Sequence, residues 1–253
     1  MAFIPDSRPF SPAVADQATI DAGLRSYMLR VYNWMTSGLL LTGVVAYAVA
    51  NTSLIDLFYQ QVMTPRGMSV QPTIRGYAAV FAPLAFVMVL SFGVNKLSTT
   101  AVQGLFWAFA AAMGASMANI FLIYTGGSIA RVFFITSGTF AAMSIYGYTT
   151  KADLSRFGSF LIMGLIGVVI ASVVNMFVGS TALQFAISII GVLVFVGLTA
   201  YDTQRIKNSY GEMAYSGGLD GAAKRSVYDA LSLYLNFINL FMLLLQLFGN
   251  RRQ

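Results

Sequence analysis

Asp229-Ala-Leu-Ser-Leu-Tyr-Leu-Asn-Phe-Ile-Asn-Leu-Phe-Met-Leu-Leu-Leu-Gln-Leu-Phe248 is long and apolar enough to cross a bilayer, yet polar side chains run along one edge of it. At 100° per residue, Asp229, Ser232, Asn236, Asn239 and Gln246 fall within a sector of about 100° on one helical face. Hydrocarbon would leave each of those groups unsatisfied, so the edge is expected to look into protein or water. Polar groups at membrane depth are candidates for function.

The rest of the chain fits a polytopic membrane protein. Of its 253 residues 57% are hydrophobic and only 9% charged, and the mean hydropathy is +0.72, more apolar surface than a soluble core can hide. Windows of about 20 apolar residues place spans at Val31 to Ala50, Gly76 to Val94, Val102 to Tyr124, Ile129 to Thr149, Phe157 to Val178, Ala182 to Tyr201 and Leu231 to Phe248. Short links between most of them imply an all-α, up-and-down bundle of seven helices. Residues 1–27 read as a polar cytoplasmic tail and 28–253 as a single seven-span transmembrane domain; the tail has no apolar run of the kind a cleavable signal needs. Between the first two spans, Leu54 to Tyr59 is apolar enough to lie in the interface. After Asp202, Lys207 to Arg225 reads as a glycine-rich soluble loop, mobile enough to follow a movement of the seventh helix.

Charge sets the orientation. With the N-terminus in the cytoplasm, that side collects Arg8, Arg25, Arg30, Lys96, Lys151, Arg156, Arg205, Lys207, Lys224 and Arg225, against Arg66, Arg75 and Arg131 opposite. The net charge of +6 is therefore explained by topology, and nucleic acid is not an expected partner. Arg251 and Arg252 face outward if the seventh helix crosses completely, and inward if it dips in and returns. The chain has no cysteine or histidine, which excludes disulfides, thiolate nucleophiles and imidazole relays or metal ligands. It also has no Gly-x-Ser-x-Gly turn, so an enzyme is not expected.

Fewer polar groups mark the other spans. Ser116 with Asn119, and Ser172 with Asn175, are i, i+3 pairs that serve either interhelical hydrogen bonding or a conduction path. The pairs Ala108 with Ala112, Ala111 with Ala115, and Gly164 with Gly167 read as sites of close helix packing.

Three stretches carry a resemblance: Ser144-Ile-Tyr-Gly-Tyr-Thr-Thr-Lys-Ala-Asp-Leu-Ser155, Val194-Phe-Val-Gly-Leu-Thr-Ala-Tyr-Asp-Thr-Gln-Arg-Ile206, and the ending from Ala230 to Phe241 and Leu247-Phe-Gly-Asn-Arg-Arg252. Together they resemble the Bax inhibitor-1 family in its bacterial inner-membrane branch. The resemblance implies six helices around a central C-terminal seventh and a pH-sensitive leak for Ca²⁺. It also implies links to stress-induced cell death and, in one bacterial relative, to modulation of a membrane protease. In the family an aspartate of the Tyr-Asp-Thr-Gln motif and a second in the last helix share a proton and gate the path. Asp202 matches the first, and the second falls on Asn236, where the family commonly has aspartate. Two close carboxylates cannot easily both ionise, which lets a gate answer to physiological pH, whereas an amide does not titrate. Asn236 can still donate to Asp202 and offer an oxygen to a cation.

Two readings of Asp202 stay open: an ion pair with Arg205 one turn on, or a gate that also gives Ca²⁺ a weak, transient oxygen ligand. Asp229 stands seven residues, roughly 10 Å, before Asn236 and so cannot take its place. It is expected at the start of the last helix, where a negative charge suits the dipole. Lining of an ion path falls to Asp229, Ser232, Asn239, Asn119 and Asn175. The competing function is a non-conducting regulator that binds a membrane protease or another membrane protein.

Overall fold

The computed structural model describes residues 12–64, 67–93, 96–215 and 221–252. In chain order the elements are α1 (Pro12–Ala50), α2 (Ile55–Phe58), β1 (Tyr59–Thr64), β2 (Gly67–Pro72), α3 (Ile74–Gly93), α4 (Thr99–Met117), α5 (Ile120–Ile123), α6 (Gly126–Thr149), α7 (Ser155–Val178), α8 (Thr181–Tyr215) and α9 (Ala222–Phe248). Taking α4 and α5 as one broken crossing, seven helices among the described residues are long and apolar enough to span a membrane.

The last helix is the centre. Of its most apolar stretch 56% is buried, against 17% for α3 and 11% for α7. Helices α1, α4, α6 and α8 pack on it directly, while α3 lies outside α4 and α7 outside α8. The ring of six thus has an inner layer of four. From the outer layer, α3 reaches α9 through its Leu90 carbonyl, which accepts from the Tyr228 hydroxyl at 3.1 Å. Tyr234, fully buried, packs edge-on against Phe109 at 5.1 Å and shares a 2.7 Å hydrogen bond with Thr42 of α1.

Helix ends differ from the apolar windows for one physical reason: apolarity marks where lipid ends, not where a helix ends. The segment Lys207 to Arg225 is mostly helix rather than a free loop, since α8 runs on to Tyr215 and α9 begins at Ala222. Ile206, Tyr210 and Val227 are buried there and continue the inward stripe past the charged residues. Residues 216–220, with Gly217 and Gly218, lie outside the described residues. Of the polar tail, residues 1–11 also lie outside, and 12–27 are helix continuous with the first span. The first extramembrane link contains an antiparallel hairpin, β1 on β2 with Tyr59 opposite Pro72, and the interfacial stretch before it is the short α2.

The seventh helix runs the full length of the bundle. Its tail docks on the opposite end of the bundle from the α8–α9 connection: the Thr125 amide donates to the Asn250 carbonyl at 3.1 Å and the Arg252 amide to the Ile123 carbonyl at 2.8 Å. The Asn250 amide donates to the Ser128 hydroxyl at 2.9 Å. Arg251 and Arg252 therefore share a side with the start of α6 and Arg131.

Candidate functional site

Four consecutive residues of α8 fasten it to four neighbours, because steps of 100° send successive side chains around the helix. The Tyr201 ring lies against α7 at Gly158, where a Cβ would meet it at 2.6 Å. Asp202 turns to α9, and Thr203 sits 3.4 Å from Ser144 of α6. Gln204 is a clamp on the α6–α7 connection: its oxygen accepts from the Leu154 amide at 2.8 Å and its amide donates to the Ala152 carbonyl at 2.8 Å. Beside them Gly147 lets α6 approach the Ala200 backbone. Two of the stretches singled out in the sequence thus dock on each other.

Asp202 is the chemical centre. It is 7% exposed, and its carboxylate accepts 2.7 Å from the Asn236 amide of α9 and 3.0 Å from Arg205. The same arginine reaches the Ser232 hydroxyl of α9 at 3.3 Å, and its side chain is 41% exposed. Asp202, Asn236, Arg205 and Ser232 form one cluster at the end of the bundle where α8 leads into α9. Of the two readings of Asp202 the ion pair is present, and the Asn236 amide sits on the carboxylate's other oxygen.

Asp229 is placed differently from its expected position. It lies two turns inside α9, whose first turn holds no acid, and it is 3% exposed. Two partners hold it: the Tyr27 hydroxyl of α1 donates to it at 2.6 Å, and Arg225 pairs with it at 3.2 Å. The Tyr27 ring rests on Tyr210 of α8 with centroids 5.0 Å apart. This second anchor ties α9 to α1, and the dipole reading of Asp229 is corrected by the earlier start of the helix.

The polar edge of α9 is not one wet face. Asn239 is exposed and donates back to the Leu235 carbonyl of its own helix at 2.8 Å, the local satisfaction open to an amide with no partner helix. Gln246 belongs to a separate cluster at the far end of the seam, where its oxygen accepts from Gln184 at 2.7 Å and from Ser188 at 3.0 Å. Asn175 joins that far cluster, donating to Gln184 at 3.0 Å and accepting from the Ser180 amide at 3.0 Å, while Ser172 is spent on its own helix at Val168. Asn119 sits at the α4–α5 break, where its carbonyl accepts from the Leu122 and Ile123 amides. Ser116 contributes only its carbonyl, to the Tyr59 hydroxyl at 2.6 Å. Between the two ends of the α8–α9 seam, Gly191, Phe195, Leu198 and Leu243 are buried and apolar. Of the small pairs, Gly164 packs near Val194 whereas Gly167 faces open space, and the tight α1–α4 approach is made at Gly114 instead.

The sequence profile described as Inhibitor of apoptosis-promoting Bax1 matches residues 24–253. The chain belongs to the Bax inhibitor-1 family. Inner membrane protein YbhL of Escherichia coli K12 is 48% identical over 91% of this chain and 94% of its own. An uncharacterized protein of Rickettsia prowazekii is 46% identical over 92% and 93%, and one of Caulobacter vibrioides 43% identical over 96% and 95%. The three family stretches are thus accounted for physically: two are helix-to-helix clamps around Asp202 and the third is the buried central helix. Among the described residues no group of three or more acidic side chains could hold a metal. Any cation contact at Asp202 rests on a single carboxylate.

Proposed function

We propose that this protein is a non-enzymatic, multi-pass inner-membrane protein that lets Ca²⁺ leak down its gradient, with the Asp202–Asn236 contact between α8 and α9 as its gate. The observation that carries this reading is a buried carboxylate clamped by an amide of the central helix at 2.7 Å and by a half-exposed arginine at 3.0 Å. Both donors occupy the oxygens that a hard cation would need. Opening therefore requires Arg205 or Asn236 to leave, after which Asp202, Ser232 and the Asn236 carbonyl offer a weak, transient set of oxygens. The membrane assignment is supported by the likeness to inner membrane protein YbhL, and the excess of basic residues on one side supports a cytoplasmic N-terminus. Since Asn236 does not titrate, this gate lacks a shared carboxylate proton and its pH response is weak.

The buried apolar stretch Gly191, Phe195, Leu198 and Leu243 favours a second reading, a non-conducting regulator that acts by binding a membrane protease or other membrane partner. Its α8 members belong to an unbroken apolar run from Ile189 to Leu198, ten residues or about 15 Å, that interrupts the polar seam. Flux separates the two. Purified protein in liposomes is expected to pass Ca²⁺ above empty vesicles; no flux at any pH between about 5 and 8 would leave the regulator.

A further inference from the structure

We propose that the groove between α1 and α6 binds one anionic phospholipid from the leaflet on the Arg25 side, with an acyl chain against α9 and the phosphate between Arg25 and Lys207. Helices α1 and α6 both pack on α9 but leave a cleft of about 900 Å³ between them, with Phe237 of α9 as its floor. A second cleft of about 290 Å³ shares Leu39, Gly43, Phe133 and Phe237 with it and continues toward Ile129. Along α1 the groove runs from Arg25 past Leu39, 14 residues or about 21 Å, enough for one leaflet of a hydrocarbon core roughly 30 Å thick.

Charge sits at one end only. Arg25 is exposed at the same mouth as Tyr148. Lys207 donates to the Tyr148 carbonyl at 2.8 Å with its ammonium 5.2 Å from the ring centre. Among the described residues no acidic side chain lines the cleft; Asp202 and Asp229 are taken by Arg205 and Arg225, and Asp21 lies outside the lining. One cationic end followed by a leaflet's length of apolar wall is the complement of a single anionic amphiphile. Because α9 forms the floor, the bound chain would touch the central helix one residue from Asn236, whether or not the protein conducts.

The test is native mass spectrometry of the full-length protein offered phosphatidylglycerol and phosphatidylcholine with identical chains. One phosphatidylglycerol is expected to be retained with a preference of at least about tenfold. Arg25→Gln, which alters only an exposed side chain, should cut that preference about fivefold, and adding Lys207→Gln should abolish it. A Cβ at Gly43 meets nothing within 4 Å and Ala141 is exposed, so Gly43→Leu with Ala141→Leu fills the groove without disturbing the bundle, and retention of either lipid should fall. Equal retention of both lipids by the parent, or variants that retain them like the parent, would reduce the groove to ordinary solvation by bulk lipid. A dimer whose crosslinks pass through Ala141 would overturn the proposal by giving the groove another occupant.

Discussion

Asp202 and Asp229 share a design and differ in one atom group. Both carboxylates are buried, at 7% and 3% exposure. Each is paired with an arginine one turn away that is itself 41% or 49% exposed, and each receives one hydrogen bond from a different helix. For Asp229 the donor is the Tyr27 hydroxyl of α1; for Asp202 it is the Asn236 amide of α9. The central helix is thus held on two sides by buried acids, accepting at Asp229 and donating at Asn236. An ordinary structural anchor and a candidate gate can therefore look alike in hydrogen-bond count. What separates them is the partner: Asp229 accepts from the Tyr27 hydroxyl of α1, whose ring rests on Tyr210 of α8, whereas Asp202 joins α8 to an amide of the central helix.

The largest effect is expected from breaking the anchor. Asp229→Ala leaves the Tyr27 hydroxyl buried without its acceptor and should lower stability by about 3 kcal/mol, read from thermal unfolding in detergent; an unchanged melting temperature would mean that the anchor holds nothing. On the other side of the comparison, Asn236→Leu leaves Asp202 with Arg205 alone. It should cost about 1–2 kcal/mol and raise Ca²⁺ flux, and a stability loss with unchanged flux would make the contact mere glue. Arg205→Gln should cost under about 1 kcal/mol, since its guanidinium is half in solvent, while increasing flux by freeing one oxygen of Asp202.

The smallest effect lies outside both sites. In the α6–α7 connection, the Ser155 amide donates to Asp153 at 2.9 Å, and that bond holds the Asp153 carboxyl below the usual carboxylate range. A lowered folded value means that the contribution is present above the unfolded value of about 3.9 and is lost as pH falls through the folded one. Asp153→Asn should therefore remove a slight acid sensitivity of the melting temperature and leave its value near pH 7 almost unchanged.

The bundle was readable because lipid imposes a long apolar run on each crossing; the polar residues of the last helix signalled only that one edge faces protein or water, and its central place came from the family resemblance. The Asp202–Asn236 contact was also legible, from the family's stretches rather than from spacing. Periodicity misled where it treated one sector as one environment. Asp229 and Asn236 are 20° apart on a helical wheel yet face α1 and α8, and Asn239, between Ser232 and Gln246 in the sector, has no partner helix. Apolar windows ended where charge began, so the helical extensions around Ile206, Tyr210 and Val227 read as loop. The roles of Thr203 and Gln204 went unread although both sit in the motif; their signal was the run of polar residues one after another, which on a helix points to several neighbours at once. The α1–α6 groove has no sequence signature, because it is a gap between residues each unremarkable alone.

The central claim is that the Asp202–Asn236 contact contains no shared proton and that a second carboxylate would install one. Ca²⁺ flux into liposomes, measured across about pH 5 to 8 for the parent and for Asn236→Asp, tests it directly. A shallow curve for the parent and a steep, displaced curve for the variant is the predicted result, and superimposable curves would contradict it.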